Sequence, residues 1–128
     1  LIADDHAIVR KGLKQILADA PDIASIDEAG SGQEALRKVR ENNYNVVLLD
    51  ISMPGMSGVD VLKQLKTERP KLPVLILTMH PEEQYAVRIL KAGASGYLSK
   101  ESAPDELIKA IRQISQGKKY IGPSLEEN

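Results

Sequence analysis

The chain has 128 residues, with 17 Lys and Arg against 18 Asp and Glu, a formal net charge of −1, and 42% hydrophobic residues. That is the make-up of one globular domain with one core, and it carries no overall charge to draw the chain to nucleic acid or to a membrane surface. There is no Cys, Phe or Trp and only four Tyr, which excludes disulfides and thiol chemistry and leaves little to stack a base, flavin or sugar on.

Short β-branched runs alternate with longer helical patterns. Ile2-Ala3 opens the chain as a strand that reads as starting part-way through. Residues 7–19 predict a helix with Ile8, Val9, Leu13, Ile16 and Leu17 on its inner face, and Pro21 follows its end. Ile23 to Ala29 predicts a second strand, with Gly30-Ser31-Gly32 as its exit turn. Gln33 to Glu41 follows as a helix with Ala35, Leu36 and Val39 inward, ended by Asn42-Asn43.

Val46-Val47-Leu48-Leu49 is apolar on both faces, as a buried parallel strand must be. It runs into Asp50 and a loop containing Met53-Pro54-Gly55. Val59 to Glu68 predicts a helix. Val74 to Leu77 is a second strand apolar on both faces, and it ends at Thr78. Glu82 to Ala92 predicts the next helix, stopped by Gly93, and Gly96-Tyr97-Leu98 the fifth strand. Pro104 opens a last helix to about Gln116, with Gly117 at its end and a polar tail to Asn128. No helical segment approaches the roughly 20 apolar residues of a membrane span, which points to the cytoplasm. Five strands and five helices in strict alternation imply a doubly wound α/β fold: an open parallel sheet with helices on both faces. The predicted boundaries are a folded domain over 1–117 and a tail over 118–128.

Such folds bind ligands at the carboxyl ends of the strands. Asp4 and Asp5 stand at the end of the first strand, Asp50 of the third, Thr78 of the fourth, and Ser99-Lys100 of the fifth. Each is ordinary when taken singly, since a strand-end Asp usually caps a turn or helix and a single Lys is usually solvated. Together they place three carboxylates, a hydroxyl and an ammonium at one edge. Crowded carboxylates repel one another unless a cation joins them. Oxygen donors of this kind suit Mg²⁺. Such an ion would neutralise an incoming phosphoryl group, whose transfer depends on positioning and charge. In this reading Asp50 is the nucleophile, Lys100 pairs with a phosphoryl oxygen, and Thr78 donates a hydrogen bond.

The segments ADD at the first strand, VVLLDISMPGMSG around Asp50, LILT at Thr78 and AGASGYLSK at Lys100 resemble a bacterial two-component response-regulator receiver domain over nearly the whole chain. The ADDH opening, AGASGYLSKE and the GKKYIGPSL ending resemble its NarL/FixJ (LuxR-type) subfamily. The resemblance implies a flavodoxin-like strand order 2-1-3-4-5, with Asp50 as phosphoacceptor. It implies Asp5 as the main metal-ligand acid and Asp4 as a second acid acting mostly through water. The backbone carbonyl of Ser52 would be the third protein ligand of the Mg²⁺. Thr78 and Lys100 match the family's switch hydroxyl and lysine, and Tyr97 the aromatic that moves inward when the hydroxyl shifts. The implied partners are a cognate sensor histidine kinase and a second copy of the chain in a phosphorylation-dependent homodimer. DNA is reached only through a helix-turn-helix effector after the tail.

Glu101 follows Lys100 where many receivers have Pro, so a trans peptide is expected there. His6 reads as a residue of the first turn after the acid pair. His80, two residues past Thr78, stands where this family flanks the phosphoryl group. Arg10-Lys11 and Lys118-Lys119 read as solvated helix ends. Two other functions fit less well. A haloacid-dehalogenase-like phosphohydrolase needs an acid two residues after its nucleophile, and here Ser52 stands there. A flavodoxin-like electron carrier needs hydroxyls and amides in the first loop, where Asp4-Asp5-His6 is acidic. A stand-alone receiver acting by protein contact alone is a further alternative.

Overall fold

Strands and helices alternate along the chain as the sequence pattern predicts. The computed structural model describes residues 1–23, 25–53, 55–79 and 83–121, leaving the side chains of residues 83–85 aside as well. The elements are β1 (Ile2–Ala3), α1 (Ala7–Leu17), β2 (Glu28–Ala29), α2 (Gly32–Glu41), β3 (Val47–Asp50), α3 (Gly58–Glu68), β4 (Val74–Thr78), α4 (Glu83–Lys91), β5 (Gly96–Ser99), α5 (Ala103–Ser115) and β6 (Tyr120–Ile121). A single 3₁₀ turn, Lys100–Ser102, joins β5 to α5. All strand pairs are parallel, in the order β2-β1-β3-β4-β5-β6. The expected order 2-1-3-4-5 is therefore present, with one strand added at the far edge.

Side-chain alternation along each strand divides the core in two. Ala3, Val47, Leu49, Val74, Ile76 and Tyr97 face α2, α3 and α4, where they meet Leu36, Val39, Leu62, Leu65 and Ile89. Ile2, Leu48, Leu75, Leu77 and Leu98 face α1 and α5, where they meet Leu13, Leu17, Leu107, Ala110 and Ile114. β3, β4 and β5 are buried along their whole length, which is why their sequences are apolar on both faces. Burying a Leu or Ile side chain stabilises by about 1.5–3 kcal/mol, so the paired cores hold the strand ends in place without help from the site.

Three local expectations change. β2 is paired only at Glu28 and Ala29, with Ile2 and Ala3 of β1. Ile8 does not join the inner face of α1 but is 85% exposed. At about 100° per residue, Val9, Leu13, Ile16 and Leu17 form one stripe and Ile8 falls well outside it. The segment read as tail contributes β6, so the sheet has six strands instead of five: Tyr120 pairs with Gly96 and Ile121 with Tyr97. The Tyr120 hydroxyl donates to Glu106 Oε1 at 2.6 Å, and Lys119 Nζ donates to the Ala94 carbonyl at 2.9 Å. Lys119 is thus tied to the fold, in contrast to the solvated reading.

Two glycines permit close approaches that shape the carboxyl edge and the new strand. A Cβ on Gly58 would lie 2.5 Å from Ile51 Cα, so only Gly lets the loop after β3 fold back onto the strand end. A Cβ on Gly96 would lie 2.7 Å from the Tyr120 carbonyl oxygen and 2.8 Å from Leu75 Cδ1. Gly96→Ala is therefore expected to cost about 1–3 kcal/mol by overpacking and to loosen β6. Urea unfolding should show the lower midpoint, and amide exchange the faster loss of the Tyr120 N–H, which is bonded to Ser95 O at 2.9 Å. An unchanged midpoint with Tyr120 still protected would contradict this packing account.

Candidate functional site

The buried polar and charged residues among those described are Asp4, Asp50, Thr78 and Ser99. Each stands at the carboxyl end of a strand: Asp4 just past β1, Asp50 closing β3, Thr78 closing β4 and Ser99 closing β5. Burying an ionised carboxylate is costly unless it is paired and hydrogen-bonded. Concentrating the buried polarity of the described chain at one edge marks that edge as the site.

The strands aim these side chains by ordinary means. The Asp4 N–H continues the ladder to Ala29 O at 3.0 Å, and Ile51 N–H does the same to Leu77 O at 3.1 Å. The Ser52 N–H turns back to donate to Asp50 Oδ1 at 3.1 Å, and the His6 N–H donates to Asp4 Oδ1 at 2.8 Å. The backbone loops thus fix one oxygen of each buried carboxylate. Lys100, at the start of the 3₁₀ turn, supplies the other contact: Nζ lies 2.8 Å from Asp4 Oδ2 and 3.3 Å from Asp50 Oδ2. The Lys100 side chain is only 10% exposed, so one ammonium serves two carboxylates away from bulk water. The Lys100–Glu101 peptide is trans, as the missing Pro implies.

The electrostatic balance is uneven. Burial is the largest influence on the Asp50 carboxyl and pushes its pKa up. The Ser52 N–H opposes this, the Asp4 charge adds to it, and Lys100 opposes it again, leaving the pKa above the ordinary carboxylate value. For Lys100, burial acts to lower the pKa, but the hydrogen bond to Asp4 and the charges of Asp50 and Asp4 outweigh it, so the pKa is raised.

Asp5 lies beside this pair, 23% exposed at its side chain. Its Oδ1 is sealed from solvent and accepts no hydrogen bond. Asp4, Asp5, His6 and Asp50 each offer a ligand atom, all within 4.8 Å of one another. A shielded carboxylate oxygen with no donor, next to two buried carboxylates, fits a bound divalent cation. The oxygen-rich donor set suits a hard ion of the Mg²⁺ class.

The expected residues come together unevenly. Asp4, Asp5, Asp50 and Lys100 form one constellation. Thr78 sits buried at the end of β4, beside them. Ser52 is exposed, with its N–H committed to Asp50. Tyr97 is fully buried; it pairs across the ladder with Ile76, so it shares a sheet face with Thr78 two residues further along β4. β5 is not an edge strand here. His80 and Pro54 lie outside the described residues. Two further residues take part to which the sequence alone assigned no role in the site. Arg10 donates from Nη1 to the Asp4 carbonyl at 2.6 Å and from Nε to Glu28 Oε1 at 3.0 Å, so it braces the loop after β1 where it was read as solvated. His6 joins the carboxylates through Nδ1. Arg10 stands at no spacing from the acids that a local pattern could flag, whereas His6 directly follows Asp5, and that adjacency was the available signal.

Comparison with known proteins bears on the fold and the family. A family profile described as "Response regulator receiver domain" matches residues 1–112. "Response regulator UvrY" of Escherichia coli (strain K12) is 37% identical over 127 residues, covering 99% of this chain and 58% of that protein. The chain thus spans little more than half the length of this curated relative. The crystal structure of a two-component response regulator of the LuxR family from Aurantimonas sp. SI85-9A1 superposes with a TM-score of 0.93 at 34% identity, covering 98% of this chain and 90% of that one. The isolated REC domain of RcsB from Salmonella enterica serovar Typhimurium, solved in the presence of phosphomimetic BeF₃⁻, gives 0.90 at 28% identity, covering 98% and 94%.

The raised pKa of Asp50 carries a stability consequence. A carboxyl whose pKa is higher folded than unfolded destabilises the fold once it ionises. That penalty is complete above the folded pKa and is relieved as pH falls toward the ordinary carboxylate value. Asp50→Asn is therefore expected to stabilise the metal-free protein by about 0.5–2 kcal/mol near neutral pH, the usual gain when a strained functional group is removed. The gain should shrink in acid. Denaturant titrations of both proteins at pH 7 and pH 4 check this, and a gain that grew on acidification would reverse the assignment.

Proposed function

The chain belongs to the response regulator receiver domain family, on its NarL/FixJ (LuxR-type) branch, and from that membership we propose that Asp50 is the carboxylate that takes up a phosphoryl group. The observation that carries the proposal is the Asp50 carboxylate itself. It is buried at the centre of the carboxyl edge, held at Oδ1 by the Ser52 N–H and flanked at Oδ2 by the Lys100 ammonium at 3.3 Å.

An Asp50 oxygen attacks the phosphorus of the donor, a phosphohistidine on a sensor kinase or a small acyl phosphate. The bond from phosphorus to the donor nitrogen or oxygen breaks, and the donor keeps that electron pair. Asp5, Asp50 and the Ser52 carbonyl would hold Mg²⁺. When bound, the ion neutralises charge on the transferring group. Asp4 has one oxygen committed to the His6 N–H and the other to Lys100, which favours contact with the ion through water. Lys100, 3.3 Å from Asp50, would pair with a phosphoryl oxygen, and Thr78, buried at the end of β4, would donate a hydrogen bond to another. Drawing both inward shifts an equilibrium between two arrangements of β4, β5 and α4. The buried ring of Tyr97, on the same face as Thr78, then reports the change to the surface.

The domain is a phosphoacceptor, not an enzyme acting on a released substrate. We place it in the cytoplasm: no helix among the described residues is long and apolar enough to cross a membrane. Its partners are a sensor histidine kinase and a second copy of the chain. DNA contact is assigned to an effector beyond residues 1–128, joined by a linker that starts within 118–128, where Tyr120 and Ile121 are still pinned to β5.

Incubation with an acyl phosphate and Mg²⁺ should add one phosphoryl group to the wild type and none to Asp50→Asn, as read by intact mass. Equal labelling of the variant would sink the assignment of Asp50. Calorimetric titration with Mg²⁺ should show a loss of affinity of at least about tenfold in Asp5→Ala and a smaller loss in Asp4→Ala, since removing a metal's supporting partners typically costs 10–100-fold. The reverse order would exchange the roles of the two acids.

A further inference from the structure

His6 has no part in the chemistry proposed above, yet its ring sits inside the acidic cluster. Its side chain is 64% exposed, and its Nδ1 lies 3.2 Å from both Asp4 Oδ1 and Asp5 Oδ1. An imidazole with that much access to water has no need of this position to satisfy itself. The backbone helps hold it there: His6 is the residue before the first turn of α1, and its N–H is bonded to Asp4 Oδ1 at 2.8 Å. No side-chain cap bond to the helix occupies the ring.

The two carboxylate oxygens near Nδ1 are not equally served. Nδ1 is within bonding geometry of Asp4 Oδ1. Asp5 Oδ1 is at the same distance but accepts no hydrogen bond and is shut off from solvent. A buried acceptor left without a donor is costly. A divalent cation among Asp4, Asp5, His6 and Asp50 removes that cost, because it takes the lone pairs of the carboxylate and of Nδ1 together. The ring proton then resides on Nε2, the tautomer in which imidazole ligates through Nδ1.

Resting on the metal-assisted reading above, we propose that His6 Nδ1 is a nitrogen donor to the divalent ion, and that this site takes borderline transition-metal ions such as Co²⁺ more tightly than an all-oxygen site of the same shape. The chemistry behind this is donor softness. Carboxylate, carbonyl and water suit Mg²⁺, whereas imidazole suits the later first-row ions and follows the general rise in affinity along that row. His6 would act on which ion is held, and Asp5 and Asp50 on whether one is held at all.

Residues 1–128 should be titrated with Co²⁺ and with Mg²⁺, as wild type and as His6→Ala. The expected result is a loss of about tenfold or more in Co²⁺ affinity with less than about threefold for Mg²⁺, the sizes expected for removing a real ligand to one ion and a bystander to the other. Pulsed EPR on the Mn²⁺-loaded protein supplies a direct readout. The chain has two His residues, so the nitrogen coupling should vanish in His6→Ala and persist in His80→Ala. Equal losses for both ions, no loss for either, or no His6-dependent nitrogen coupling would overturn the proposal. Co²⁺ binding that needs Asp5 but ignores His6 would remove the nitrogen donor alone. Failure of the wild type to bind either ion would remove the metal reading beneath it as well.

Discussion

Two carboxylates and one ammonium, all nearly shut off from water, share a space at the carboxyl edge of the sheet. Lys100 reaches Asp4 at 2.8 Å and Asp50 at 3.3 Å, so one ammonium stands against two carboxylates. Such an arrangement costs free energy by desolvation and by like-charge repulsion. It persists because the surrounding structure over-determines it: two apolar cores hold the strands, and loop amides hold one oxygen of each acid. Added positive charge beside Asp50 would relieve that cost.

That constraint explains which parts of the fold are rigid and which are tuned. The three strands that deliver Asp50, Thr78 and Lys100 are consecutive in the sheet and buried along their length, so a change at their ends has no slack to dissipate into. β4 and β5 run in register from Leu75–Gly96 to Thr78–Ser99. Thr78 pairs with Ser99, and Tyr97 lies on the same face of the sheet through its partner Ile76. β6 lies one strand further out, where Ile121 pairs with Tyr97 itself. The route from the carboxyl edge to the end of the described chain is short and made of backbone hydrogen bonds.

The first loop shows a different economy. Asp4, Asp5 and His6 are consecutive, yet they hold three distinct environments. Asp4 is buried and fully engaged, Asp5 is partly exposed with one sealed oxygen, and His6 is largely exposed with its ring turned inward. Arg10 keeps the loop in this shape from below by holding the Asp4 carbonyl and Glu28 together. Three adjacent side chains can differ so much because the chain leaves a strand and enters a helix within four residues. Each residue there meets a different neighbour.

Much of the fold and of the site was legible without coordinates, because those features rest on short-range patterns. VVLL and VLIL are apolar on both faces only if a strand is covered on both sides, and strict alternation with helices then requires a parallel sheet. Once the strand ends were located, Asp4, Asp5, Asp50, Thr78 and Lys100 fell on one edge by topology alone. The features that were not legible depend on partners distant in sequence. The pairing of Tyr120 and Ile121 with β5 needs a free strand edge and a glycine at 96 to admit it. Ile8 is exposed because the helix turns its neighbours, not it, toward the sheet. Arg10 became a brace and His6 a member of the acidic cluster through contacts that carry no local periodicity. Local pattern therefore determined which residues reach the edge, and only the packed structure decided which of them touch.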